Sequence, residues 1–70
     1  MNWIKFDKGN IPVVEGESLI VWLKPVKQWF MAWHSGEEAG FTNEVGSRPR
    51  LLMFSDISHY CIPEAPNELD

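Results

Sequence analysis

His59 and Cys61 stand two positions apart in the segment ISHYCI, a spacing that turns both side chains to one face of a β-strand. An imidazole beside a thiol is the start of two chemistries. Joined by His34 and by Asp56 or Glu37, the pair offers nitrogen, sulfur and oxygen donors for a divalent zinc ion. By itself it offers a nucleophile and its base. Neither set is complete. The spacing matches no zinc motif, and the apolar surroundings of Cys61 supply no cation to hold a thiolate. The pair therefore reads as a thiol packed like a small hydrophobe and a histidine hydrogen-bonded near a sheet edge. Glu37-Glu38 is a candidate carboxylate pair, but between Gly36 and Gly40 it reads as a solvated charge cluster. Gly36, Gly40 and Gly46 punctuate a loop and form no phosphate-binding fingerprint. The expectation is a protein without enzyme activity, metal or cofactor.

The elements around these residues read as strands. Ser18–Lys24 (SLIVWLK) is β-branched and aromatic, and Pro25 closes it. Gln28–His34 (QWFMAWH) follows after a short turn, close enough to form an antiparallel hairpin. Leu51–Phe54 and Ile57–Ile62 are two further apolar runs, and Met1–Phe6 is a short strand or arm. Asp7–Asn10 and Glu15–Glu17 are turns by composition, with Ile11–Val14 extended through Pro12. Residues 37–49 are polar and glycine-containing and read as a long loop with Phe41 as its one large apolar residue. Ser35–Ala39 and Leu51–Asp56 could form short helices, though neither sustains a helical period. The fold expected is mainly β: a small antiparallel sheet of three to five strands, with little or no helix. Residues 1–62 form one domain, and 63–70 (PEAPNELD) form an extended, acidic, proline-containing tail, partly disordered by composition.

Alternation sharpens the picture. In the first strong strand Leu19, Val21 and Leu23 share one face, and Ile20 and Trp22 the other. In the second, Trp29, Met31 and Trp33 share one face, and Phe30, Ala32 and His34 the other. Both faces of the hairpin are apolar, whereas a sheet with one solvated side alternates apolar with polar. The second face must be covered by the remaining segments, Met1–Val14 and Leu51–Phe54, or by another molecule, a second copy included.

Composition bounds the rest. The chain has 70 residues, enough for one domain. Its only cysteine excludes an internal disulfide, which fits a reducing, cytoplasmic setting. No run of 18 apolar residues exists to span a membrane. The net charge of −4 and the single close basic pair, Arg48 and Arg50, argue against direct nucleic-acid binding. Four Trp, four Phe and one Tyr are a heavy aromatic load, suited both to a small core and to a binding surface.

The order of these pieces resembles a family of short phage and prophage proteins of unknown function, numbered 551 among such domains. Its members open with Trp-Ile, pass through a Pro-x-x-Gly turn into a Val-rich strand, and close on a Thr-His-Trp-Met-Pro-Leu-Pro-like ending. The matching pieces are Trp3-Ile4, Ile11-Pro12 with Glu15-Gly16, Leu19-Ile20-Val21-Trp22, and Ile57 through Pro66. Tyr60 stands where Trp is usual, and Cys61 where Met is usual. The resemblance implies a phage or prophage origin and no known enzyme activity, which makes the cytoplasmic setting expected from composition that of the host cell.

The function expected is stoichiometric binding of a host protein or complex, such as inhibition of a defence nuclease. The surface expected is the aromatic second face of the hairpin, rimmed by the 37–49 loop and the acidic tail. Trp33, Phe41, Glu37, Glu38 and Tyr60 are its candidate residues. The alternative is an oligomeric sponge for a small molecule or nucleotide, with aromatic stacking and Arg48 or Arg50 holding an anion.

Overall fold

In the computed structural model, which describes residues 2–45 and 48–63, the chain is mainly β. Its strands are β1 (Ile4–Lys5), β2 (Ser18–Leu23), β3 (Gln28–Trp33), β4 (Gly40–Val45), β5 (Arg48–Met53) and β6 (Ile57–Cys61), with a 3₁₀ turn (Phe54–Asp56) between the last two. They form one antiparallel sheet in the order β1-β6-β2-β3-β4-β5. The meander from β2 to β5 follows from short connections. β6 then crosses back to pair with β2 and leaves β1 at the outer edge.

The β2–β3 hairpin is the best-defined unit, paired from Ser18–Trp33 to Leu23–Gln28. Its turn is closed by Lys27 N–H donating to the Leu23 carbonyl at 2.9 Å. Lys27 takes the left-handed conformation there, at φ 52°. At the open end the pairing continues: Gly16 N–H donates to His34 O at 2.7 Å, and His34 N–H to Glu17 O at 2.9 Å. Gly16 itself sits at φ 95°, a backbone state suited to glycine.

The sheet is rolled rather than flat. Three strands separate β1 from β4, which in a flat sheet would place them about 19 Å apart. Yet Phe6, just past β1, meets Phe41 of β4 edge to face at 5.9 Å between ring centres. In the ladder between β3 and β4 only one residue pair, Trp33–Thr42, is in register, so the sheet bends there. Inside the roll lie Val13, Leu19, Val21, Leu23, Ala32, Phe41, Leu52 and Ile57, with Phe6, Ile11, Phe30, Phe54 and Tyr60 packed around them. Leu19, Val21 and Phe41 are wholly buried. Each such side chain contributes roughly 1.5–3 kcal/mol relative to an exposed one. A bulge at Ser58 lets β6 fit: Trp22 pairs with His59 but Leu23 with Ile57, which turns Ile57 inward.

Three expectations are corrected. The sheet has six strands rather than three to five, because residues 37–49 are not one loop. Residues 40–45 form β4 and Arg48 starts β5, with Phe41, Thr42, Asn43 and Glu44 alternating in and out of the roll. The strand run Leu51–Phe54 accordingly begins three residues earlier, and Pro49 is accommodated because β5 is an edge strand. The expectation of little or no helix holds: among the described residues helix is confined to the 3₁₀ turn, and Ser35–Ala39 is not helical. Residues 64–70 of the expected tail lie outside the described residues.

Candidate functional site

The register sorts every strand residue to one side of the sheet. Leu19–Ala32 and Val21–Phe30 are paired on the inner side, so Ser18–Trp33, Ile20–Met31 and Trp22–Trp29 are paired on the outer side. Trp22 also pairs with His59, and His59 with Lys5. Trp3, two residues before Lys5, faces the same way. All four tryptophans thus lie on the outer face. Trp29 is 54% exposed, Met31 50%, Trp3 37% and Trp33 36%, and Trp22 is half-buried. Of the segments expected to cover this face, Val13, Phe6 and Leu52 instead pack into the roll, while Trp3 packs on Trp22 from the outside.

At the β1 side, Trp3 and Trp22 meet edge to face at 6.0 Å, with their planes 75° apart. With His59 they line an open cleft of about 340 Å³. His59 is fixed by its neighbour, its Nδ1 lying 2.9 Å from Ser58 Oγ. On the far edge, Leu51 and Met53 of β5 line a smaller groove of about 160 Å³ with Pro25, Val26 and Arg50.

The hairpin is polarised in charge. Glu15, Glu17, Glu37 and Glu38 cluster in sequence around its open end, next to the Ser18–Trp33 pair, and all are exposed. Lys24 and Lys27 flank its turn, beyond the Trp22–Trp29 pair, and are exposed too.

The expected site residues separate into two groups. Trp33 lies on the outer face, and Glu37 and Glu38 are exposed in the connection between β3 and β4, beside it. Phe41 does not belong with them. It is wholly buried against Phe6, His34 and Phe54, because it points inward from β4. Tyr60 pairs with Val21 on the inner side and packs on Phe6, so it also leaves the proposed surface. Sequence reasoning missed Trp3, Trp29 and Met31 as site residues. Alternation had put Trp29 and Met31 beside Trp33, but nothing local says which face the core occupies.

The residues considered for metal or nucleophilic chemistry are also divided. His59 and Cys61 share the outer face, while His34 packs its ring on Phe41 inside, 5.9 Å between centres. Among the described residues no three His, Cys, Asp or Glu side chains are grouped to hold a metal ion. Cys61 is a buried free thiol opposite Ile20. Arg48 and Arg50 are exposed on β5, at the opposite edge of the strand order from the Trp3 cleft. Among the described residues no helix is long and apolar enough to cross a membrane. No family model matches the chain, and no curated protein or solved structure matches it either.

Proposed function

We propose that this chain is a phage-type accessory protein that acts by stoichiometric binding of a protein in the host cytoplasm, inhibiting a defence nuclease or similar complex. The observation that carries the binding part is the outer face of the rolled sheet. Four tryptophans and Met31 share it, where a solvated sheet face would be polar. Trp29, Met31 and Trp33 are the anchors, since exposed Trp and Met are the residues that interfaces favour. Glu37 and Glu38 form the rim beside Trp33. The phage setting is what the family resemblance implies, and the defence target is an inference from the class of small phage accessory proteins, which often act on host machinery by stoichiometric binding.

The test is co-purification of a host protein at one-to-one stoichiometry with the native chain, Trp29→Ala and Trp33→Ala. The expected result is a captured protein lost in both variants. Capture that is equal in all three removes this face from the function.

A second reading, the small-molecule sponge, is favoured by the Trp3–Trp22–His59 cleft, whose volume is within the range of ligand sites. Mass spectrometry of ligand released on denaturing the purified protein separates it from the first. An empty preparation counts against the sponge.

A further inference from the structure

We propose that, in the absence of its partner, the outer face of the β2–β3 hairpin is closed by the same face of a second copy, stacked about a two-fold axis that passes through the Ile20–Met31 pair. This rests on the reading of that face as a binding surface and names its first occupant.

Area is the first argument. Trp29, Met31 and Trp33 on the hairpin, and Trp3 beside Trp22, are each 36–54% exposed. With about 200 Å² per large side chain, they leave on the order of 350 Å² of apolar surface facing water. A patch of that size on a monomer is often functional. A standard interface removes about 800 Å² from each partner, a little over half of it apolar. The patch therefore supplies most of the apolar content of one side of a stable dimer.

Charge selects the occupant. A two-fold interface is self-complementary, so residue i meets j and j meets i. Ile20–Met31 is the middle outer pair of the hairpin, with Ser18–Trp33 at one end and Trp22–Trp29 at the other. A two-fold axis there lays the Trp33 end of each copy over the Trp29 end of its mate. The same rotation brings Glu37 and Glu38, exposed beside the open end of one copy, toward Lys24 and Lys27 at the turn of the other, twice. The chain thus supplies both halves of the charge pairing, whereas a foreign partner would have to bring a matching gradient. Two sheets stacked about 10 Å apart leave room for the indoles to interleave. Met31 sits beside the axis, where its unbranched thioether adapts to its own copy.

Sedimentation equilibrium of the purified full chain at tens of micromolar tests this. The native chain is expected to be a dimer. Met31→Glu, which sets two carboxylates against each other across the axis, is expected to be a folded monomer by circular dichroism. Lys24→Glu with Lys27→Glu is expected to weaken the dimer about 3- to 10-fold, as for exposed ion pairs counted twice. Adding Glu37→Lys and Glu38→Lys is expected to restore it. A monomeric native chain, a dimer indifferent to Met31→Glu, or a charge reversal without recovery in the quadruple variant overturns the proposal. Host-protein capture that is sensitive to Trp29→Ala in a monomeric native chain also overturns the dimer while leaving the binding face intact. A dimer that behaves as stated, with no Trp29-dependent capture, supports the proposal and removes the host partner instead.

Discussion

Trp22 and Trp29 stand directly opposite each other across β2 and β3 on the outer side of the sheet, one residue from Val21 and Phe30, which are paired on the inner side. A single peptide step separates a wholly buried valine from a half-buried indole. The hairpin is thus one unit with two roles, core within and binding surface without. Substitutions should separate them. Leu19→Ala, at a wholly buried position, is expected to cost about 2–5 kcal/mol in urea unfolding. Trp29→Ala removes a cross-strand contact on the exposed side and should cost about 1 kcal/mol or less. Equal losses would mean that the outer face is core as well.

Gly40 opens β4 opposite Met53. A Cβ there would fall inside the van der Waals shell of the Leu52 carbonyl, which is backbone and has no rotamer to change. Gly16 meets no atom within 4 Å but sits at φ 95°. The two glycines therefore resist substitution for different reasons, steric and conformational. Gly16→Ala should cost about 1 kcal/mol, and Gly40→Ala at least about 2 kcal/mol, because the β4–β5 pair must shift. Thermal unfolding of both variants gives the order, and a Gly40→Ala protein as stable as the native one would show that the hairpin pairs differently.

Asn43 is the polar residue buried in the bend between β3 and β4. Its Nδ2 donates to the Met31 carbonyl at 2.6 Å, while its Oδ1 has no hydrogen-bond partner. The side chain substitutes for ladder bonds where only Trp33 and Thr42 are paired. Asn43→Ala leaves the Met31 carbonyl short of a donor and should cost about 1–3 kcal/mol. Asn43→Asp should cost more, because it turns two acceptors toward each other and buries a charge. Burial raises the introduced carboxyl above its unfolded value, so its penalty is full at neutral pH and declines as pH falls through that raised value. Urea titrations of the two variants at pH 7 and pH 5 check both the order and its narrowing. An Asn43→Asp chain no less stable than Asn43→Ala would show that the side chain is wet.

Much of this was legible in the sequence, and the remainder was not for identifiable reasons. The SLIVWLK and QWFMAWH runs carry their own alternation, and the structure keeps it as facing: Leu19, Val21, Leu23 and Ala32 turn inward, while Trp29, Met31 and Trp33 are exposed on the outer side, where Ile20 is nevertheless buried. β4 was hidden because Phe41 is the one large inward apolar residue among its described side chains, and Asn43 does the work of a second one through a hydrogen bond. Reading Phe41 as a loop residue then made it look available to a partner. Trp3 was out of reach of local reasoning, since its place beside Trp22 depends on β6 returning from the far end of the chain. The bulge at Ser58 has the same character: it resets the face of Ile57 relative to His59, and period-two alternation alone cannot show it.

Cys61 tests the division between structural and reactive thiols. It is 8% exposed and pairs with Ile20, and its Sγ lies 4.0 Å from the Ile62 carbonyl oxygen. His59 shares its face, but its Nδ1 is engaged by Ser58 rather than turned to the thiol. A thiol so placed reacts only when the strand opens, so its labelling by a thiol reagent follows the opening equilibrium. The native chain should label far more slowly than the urea-unfolded chain. His59→Ala should leave that native rate unchanged, and Leu19→Ala should raise it by lowering the stability that keeps β6 paired. Rapid native labelling that His59→Ala abolishes would identify an activated thiol, and would return the Cys–His pair to the list of chemical sites.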